Sequence, residues 1–157
     1  MTTIEVGQLA PEFRLKGPGG QWVSLSDYRG TQNVVLVFFP LAFSPVCSHQ
    51  LPDLQRHMAA FRELNVALFG VSVDSHYANE AFARQLKLDF PLLSDFKRQA
   101  MSAYGVLQSE KGYSGRANFL IGMDGRIAYS DVSDDAGDIT QVPSPERLLE
   151  ALRALPR

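Results

Sequence analysis

The sequence predicts a mixed α/β fold in which a central sheet has helices on both faces. Two apolar runs, Val34–Phe39 and Val66–Val73, lack the alternation of half-exposed strands and are rich in β-branched and aromatic residues. Such runs are typical of central strands that are buried on both faces. Between them, apolar residues recur with the period of an amphipathic helix. They are Leu51, Leu54, Met58, Phe61 and Leu64. This strand–helix–strand unit implies parallel pairing of the two strands.

Two strand pairs are predicted outside this unit. Near the start, Phe13–Lys16 and Gln21–Leu25 are alternating runs separated by a Gly-Pro-Gly-Gly turn, which favours a hairpin. Later, Asn118–Gly122 and Arg126–Tyr129 flank a Met-Asp-Gly turn, a second hairpin signal. The hairpins add antiparallel strands, so the predicted sheet is mixed.

Capping residues predict three further helices. Ser75 can cap one helix, and Asp95 can cap a short one that stops at Gly105. Ser144 followed by proline opens a last helix. Its inner face carries Leu148, Leu149, Leu152 and Leu155. Pro52 lies inside the first helical pattern and is expected to bend or interrupt that helix.

Length and composition favour one soluble domain. The chain has 157 residues, a formal charge of −2 and one cysteine. A chain of this length buries roughly 68–70% of its unfolded surface, so we expect one domain over residues 1–157. One cysteine excludes an intrachain disulfide, and no metal-ligand spacing is present, so we expect no metal.

The charge and hydropathy patterns exclude several kinds of partner. The near-neutral charge gives no basic surface for nucleic acid or for a membrane. The longest apolar stretch, Val34–Phe43, contains Pro40 and is too short to span a bilayer. Met1–Ala10 has no apolar run of the kind that a secretory leader needs. We therefore expect a cytoplasmic protein.

The candidate site lies where the first buried strand ends. In open α/β sheets, ligands bind beyond the carboxyl ends of central strands, and here Pro40 to Cys47 follow such a strand. Ser44 before proline is a good helix cap, which would place Cys47 at the third helical position. Amide N–H groups and the helix dipole favour a thiolate there. A lone cysteine is otherwise most simply a small buried apolar residue, so both interpretations stay open on these residues alone.

Pro40, Ser44 and Cys47 also match P-x-x-x-[ST]-x-x-C, the active-site signature of the peroxiredoxins. The surrounding segment, FFPLAFSPVC, resembles the alkyl hydroperoxide reductase E-like, single-cysteine subgroup of that family. The resemblance implies a thioredoxin-like (peroxiredoxin) fold. It covers nearly the whole chain and continues through Gly70–Asp74, Phe90–Asp95, Tyr104–Val106 and Gly115–Ile121.

The resemblance implies a role for four residues and suggests a fifth. Cys47 would be the peroxidatic cysteine, which attacks a hydroperoxide and becomes a sulfenic acid. Ser44, where the family commonly has threonine, would hydrogen-bond the thiolate or the peroxide, and Pro40 would shield the sulfur from water. Arg116 would favour the thiolate and stabilise charge on the departing oxygen. Gln50 would be a partner of Arg116.

The resemblance also implies substrates and partners. The substrates would be hydrogen peroxide and organic hydroperoxides, and no cofactor is implied. Because the chain has no second cysteine, the sulfenic acid would need an external thiol. This reductant would be a small thiol or a thioredoxin-, glutaredoxin- or mycoredoxin-type protein. By analogy we expect a homodimer that pairs through a surface near the active-site loops.

Two other functions compete with a peroxidase. A thiol transferase acting on disulfides would normally have a C-x-x-C motif, but residue 50 is glutamine. A redox-sensing or chaperone-like module would change its assembly when Cys47 is oxidised, without efficient turnover by any thiol. Steady-state peroxide consumption separates the peroxidase from this module.

Overall fold

The fold is built on a mixed seven-stranded sheet, seen in a computed structural model that describes residues 3–133 and 141–155. The strands within these ranges are β1 (Arg14–Lys16), β2 (Trp22–Ser24), β3 (Val34–Phe38), β4 (Ala67–Ser72), β5 (Leu92–Ser94), β6 (Leu107–Gln108), β7 (Tyr113–Ser114), β8 (Ala117–Ile121) and β9 (Ile127–Val132). The helices there are α1 (Cys47–Arg56), α2 (Met58–Glu63), α3 (His76–Leu86), α4 (Gln99–Ala103) and α5 (Pro145–Arg153).

The sheet has the strand order β2-β1-β5-β4-β3-β8-β9. Strand β3 pairs in parallel with β4, and β4 pairs in parallel with β5. The other pairs, β3 with β8, β8 with β9 and β1 with its neighbours, are antiparallel. The mixed sheet and both predicted hairpins are therefore confirmed. The sequence did not predict β5 or the small β6–β7 pair, because these short segments show no alternation of apolar and polar residues like that of the runs containing β1 and β2.

Both faces of the sheet are covered, because successive residues of β3 belong in turn to two different hydrophobic cores. All five residues of β3 are buried. Val34, Leu36 and Phe38 belong to one core, which includes Ala100 and Met101 of α4. Val35 and Val37 belong to a second core, shared with apolar residues of α1, α2, α3 and α5. Because both faces of β3 are buried, its sequence shows no polar alternation. None of the helices in the described ranges is long and apolar enough to cross a membrane.

The predicted helix between β3 and β4 is divided at His57 rather than at Pro52. Helix α1 runs through Pro52 and ends at Arg56, and α2 begins at Met58. The His57 N–H donates to the Leu54 carbonyl at 3.0 Å, a tighter spacing that often ends an α-helix. The expectation of an interruption at Pro52 is therefore wrong.

Two of the three predicted helix caps are confirmed. The Ser75 hydroxyl accepts a hydrogen bond from the Ala78 N–H at the start of α3. The Ser144 hydroxyl accepts one from the Arg147 N–H at the start of α5.

The third cap differs from the prediction. Helix α4 begins at Gln99, and its N-cap is Arg98 in a left-handed conformation. The buried Asp95 carboxylate still reaches the helix, where it accepts hydrogen bonds from the Ala100 and Met101 N–H groups. Burial raises the pKa of Asp95 above the ordinary value, although these hydrogen bonds act in the opposite direction. Asp95 thus binds the amides of the first helical turn from outside the helix.

We expect Leu148→Ala to destabilise the protein by about 2–5 kcal/mol, because it deletes a fully buried side chain and leaves a cavity. Leu148 lies on α5, which packs on β8 and β9. The midpoint of chemical unfolding would measure the loss. Arg153→Ala, at an exposed position on the same helix, is the control and should change stability by less than about 0.5 kcal/mol. Equal losses would contradict this packing of α5.

Candidate active site

The candidate site lies at the carboxyl end of β3. The chain leaves β3 at Phe38 and enters α1 at Cys47, and we call residues 39–46 the β3–α1 loop. Cys47 is the first residue of α1 and not the third, because Val46 is the N-cap. The Ser48 N–H donates to the Ser44 carbonyl at 3.0 Å, so one hydrogen-bonded turn spans residues 44–48 and contains Cys47. The predicted helix start is therefore two residues too early, although Cys47 does lie in the first turn.

Ser44 contributes its backbone, rather than its side chain, to this turn. Its carbonyl accepts hydrogen bonds from both the N–H and the hydroxyl of Ser48. Its own hydroxyl is buried without a hydrogen-bond partner among the groups that the structure describes. A buried hydroxyl without a partner costs about 1–3 kcal/mol. Such a group is suited to bind a neighbouring thiolate or an incoming ligand.

Arg116 reaches the site from the edge of β3 that pairs with β8, opposite the edge that pairs with β4. It immediately precedes β8, and Phe38 at the end of β3 pairs with Ala117 at the start of β8. The guanidinium is buried and only 2% exposed. Its Nη1 donates to the Gln50 Oε1 at 2.6 Å, and Gln50 is itself only 2% exposed. The contact between Gln50 and Arg116 that the resemblance suggested is therefore present.

The choice of glutamine as this partner has an electrostatic consequence. A carboxylate would form an ion pair with the guanidinium and neutralise much of its field. The amide of Gln50 orients Arg116 and brings no opposing charge. Gln50 therefore does not cancel the positive charge of the guanidinium, and this charge favours an anion at the first turn of α1.

Pro40 is buried at the beginning of the loop. The preceding residue, Phe39, is held on two sides: its N–H donates to the Val71 carbonyl, and its carbonyl accepts from the Ser114 hydroxyl. Proline adds a rigid ring without an N–H. Pro40, Ser44, Gln50 and Arg116 thus lie around the carboxyl end of β3 and the first turns of α1.

Two features of the loop were not predicted. The Asp74 carboxylate accepts a hydrogen bond from the Ala42 N–H at 2.7 Å. Phe43 has a φ of 68°, is half-exposed, and packs its ring 5.0 Å from that of Phe82. An aspartate that directly follows a buried strand was the available signal for the first feature. The left-handed backbone of Phe43 leaves no signal in the sequence.

Comparison with known proteins agrees with this geometry. A profile of the AhpC/TSA family matches residues 6–130. Alkyl hydroperoxide reductase E of Mycobacterium tuberculosis is 38% identical over 131 residues, which cover 82% of this chain and 86% of the relative. Peroxiredoxin Bcp of Bacillus subtilis is 37% identical over 131 residues, which cover 80% and 83%.

Comparison with solved structures also finds peroxiredoxins. The reduced 2-Cys peroxiredoxin of Plasmodium vivax superposes with a TM-score of 0.84 at 31% identity, covering 95% of this chain and 80% of that one. The fold is thus the thioredoxin-like fold of the peroxiredoxins. The chain belongs to the AhpC/TSA family, and it is a thiol-dependent peroxidase.

Proposed function

We propose that this peroxidase reduces hydroperoxides by a single-cysteine mechanism with Cys47 as the peroxidatic residue. The Cys47 thiolate attacks the terminal oxygen of ROOH, the O–O bond breaks, and RO⁻ leaves and takes up a proton. Cys47 is then a sulfenic acid. The observation that carries the proposal is the buried Arg116 guanidinium. It donates a hydrogen bond to Gln50, which lies three residues after Cys47 on α1. A fixed positive charge thus faces the turn in which the thiolate would form.

The site must both ionise the thiol and polarise the peroxide. A free cysteine is only about 3% ionised at neutral pH. The amides of the first turn of α1 and the charge of Arg116 both favour the thiolate. Because nucleophilicity falls as the pKa of a thiol falls, ionisation alone does not give a fast reaction. The remaining acceleration would come from groups that bind the peroxide.

Ser44 and Arg116 are suited to bind it. The buried hydroxyl of Ser44 can donate to the thiolate before reaction and to the peroxide during it. The guanidinium can donate to the departing oxygen as negative charge develops there. Pro40, which is buried and lacks an N–H, would narrow the pocket and exclude water from the sulfur. Serine lacks the β-methyl group that stiffens threonine, so the buried surroundings would have to fix its rotamer.

An external thiol would complete the cycle. The chain has one cysteine, so a thiolate from another molecule attacks the sulfenic sulfur, water leaves, and a mixed disulfide forms. A second thiol then releases Cys47. The reductant would be a small thiol or a thioredoxin-, glutaredoxin- or mycoredoxin-type protein. Because the cytoplasm keeps such thiols reduced, we propose that the enzyme works there.

We also propose that two copies pair through an aromatic surface near the loop. Trp22, Tyr77 and Phe96 line one groove and are 51%, 74% and 66% exposed. Monomers rarely expose large apolar patches, and aromatic residues are enriched at protein interfaces. Tyr77 follows β4 and Phe96 follows β5, so the aromatic surface lies at the same end of the sheet as the site.

Cys47→Ser should abolish peroxide reduction and leave the fold unchanged, because a serine hydroxyl is not ionised at neutral pH. Intact mass after one equivalent of hydrogen peroxide should show a gain of about 16 Da in the natural protein, captured by a sulfenate trap. The variant should show none, and with the natural protein an added thiol should restore the thiol form. A serine variant that still consumes peroxide would refute the mechanism. Oxidation that no thiol reverses would favour the redox-sensing alternative.

Arg116→Ala should raise the pKa of Cys47 and slow its oxidation by about 10²-fold or more, because it removes a positive charge and an oxyanion donor. The pH dependence of alkylation and the rate of peroxide reaction would measure the two effects. Gln50→Glu should also raise the pKa, since the added carboxylate opposes the guanidinium field.

Arg84→Ala, at an exposed position on α3, is the matched control and should change neither quantity. If Arg116→Ala folds and reacts at the rate of the natural protein, Arg116 does not act on the reaction.

Phe96→Arg should shift the protein from dimer to monomer, because it buries a charge in the proposed interface. Light scattering with size-exclusion chromatography over a range of concentrations would measure the shift. Val6→Arg is the control, since Val6 is exposed and lines a different groove. A natural protein that is monomeric at every concentration, or a dimer that only Val6→Arg disrupts, would show that the aromatic surface is not the interface.

A further inference from the structure

We propose that Asp74 is a positioning residue, which holds the β3–α1 loop in the conformation that peroxide reduction requires. The inference rests on the proposed function of Cys47. Asp74 lies two residues beyond the end of β4 and touches neither Arg116 nor Gln50 through any hydrogen bond within the described residues. It acts on the loop, and through the loop on Ser44 and on the start of α1.

The contact with the loop is direct. The Asp74 Oδ2 accepts the Ala42 N–H at 2.7 Å. This bond joins the middle of the loop to the turn between β4 and α3. By comparison, the Ser44 N–H donates to the Leu41 carbonyl, at 3.4 Å, within the loop itself. Hydrogen bonds to a carboxylate are shorter and stronger than those between neutral groups, so the Asp74 bond is the firmer of the two.

The carboxylate is itself held in place. The Ser72 hydroxyl donates to the same Oδ2 at 2.8 Å, and the Asp74 carbonyl accepts the Ser94 hydroxyl at 2.7 Å. Ser72 and Ser94 lie on β4 and β5 and are buried. The support for the loop is therefore the central sheet.

The backbone of the loop shows why it needs support. Phe43, directly after Ala42, has a φ of 68°, a region in which a bulky side chain is strained. Such strain persists only where the surroundings determine the conformation. The Asp74 bond fixes the residue before the strained one, and Ser44 with its buried hydroxyl is the residue after it.

Electrostatics alone would not favour an aspartate here. A carboxylate at the same end of the sheet as the thiolate disfavours ionisation of the thiol. Its benefit is therefore positional: a misplacement of about 1 Å in groups that bind the reactants can cost about 10²-fold in rate. Loss of the Ala42 contact should harm the peroxide reaction far more than the intrinsic reactivity of the thiol.

The test compares two reactions of Cys47 in the folded protein. The first is oxidation by hydrogen peroxide, which needs the aligned site. The second is alkylation by iodoacetamide, which needs the thiolate alone. Asp74→Ala should lower the ratio of the two rates by at least about tenfold. Asp74→Asn keeps an acceptor oxygen without the charge and should restore most of that ratio. Asp124→Ala is the matched control: Asp124 also accepts a backbone N–H, that of Arg126 at 3.0 Å, but it lies in the turn between β8 and β9, and its loss should leave the ratio unchanged.

Several outcomes would overturn the proposal. A folded Asp74→Ala variant with an unchanged ratio would do so. So would an Asp74→Asn variant in which the ratio falls as far as in Asp74→Ala. An equal fall in Asp124→Ala would mean that the loss of any turn aspartate has this effect. Hydrogen exchange at the Ala42 amide of the natural protein tests the contact even if Asp74→Ala does not fold: protection is expected, and exchange as fast as in an exposed loop would refute it. A natural protein whose thiol is alkylated but ignores peroxide would instead refute the proposed function.

Discussion

The register of β3 against its two neighbours determines the site. Phe38, the last residue of β3, lies opposite Val71 of β4 and Ala117 of β8. The loop that leaves β3 therefore emerges between Arg116, which precedes β8, and Asp74, which follows β4. A slip of one residue would reverse the faces of β3 and move both side chains away from the loop. Burial of β3 between two different cores prevents that slip. The core packing that fixes the register of β3 therefore also fixes the geometry of the site.

A few contacts in the site offset the burial of one charge and the strain of one backbone residue. Arg116 is buried, and Gln50 satisfies one of its donors without cancelling its charge. The left-handed backbone at Phe43 costs about 1–2 kcal/mol. A hydrogen bond to a charged group, such as that from Ala42 to Asp74, contributes about 1.5–3 kcal/mol. The two magnitudes are similar, so the Asp74 bond is strong enough to offset the cost of the left-handed residue.

The parts that the sequence predicted are those with a local cause. Continuous apolar runs indicated β3 and β4, and a serine at the right position indicated α3 and α5. Strand β5 was missed because Leu92–Ser94 lacks the alternation that marked the equally short β1 and β2. The division of the first helix at His57 has no proline or glycine to mark it. Asp95 was assigned to the wrong position because it caps α4 from a distance through its carboxylate.

The residues of the site also divide into those with a local sequence signal and those without one. Pro40, Ser44 and Cys47 are close in the chain, so their spacing alone drew attention to the loop. Arg116 was identified only through a resemblance, since no local pattern distinguishes it from a surface arginine. The role of Asp74 was missed, although it directly follows the predicted strand Val66–Val73, because its partner is a backbone amide 32 residues away and backbone amides carry no sequence signal.

The separation of the site along the chain also has a consequence during synthesis. Gln50 and Arg116 are 66 residues apart, and β8 is made long after Cys47 has left the ribosome. Until β8 pairs with β3, Cys47 has no guanidinium nearby, so in the proposed mechanism it would react as an ordinary, weakly acidic thiol. Pairing between strands that are distant in the chain is slow. The proposed mechanism therefore makes the sulfur reactive only after the last strands have closed the sheet.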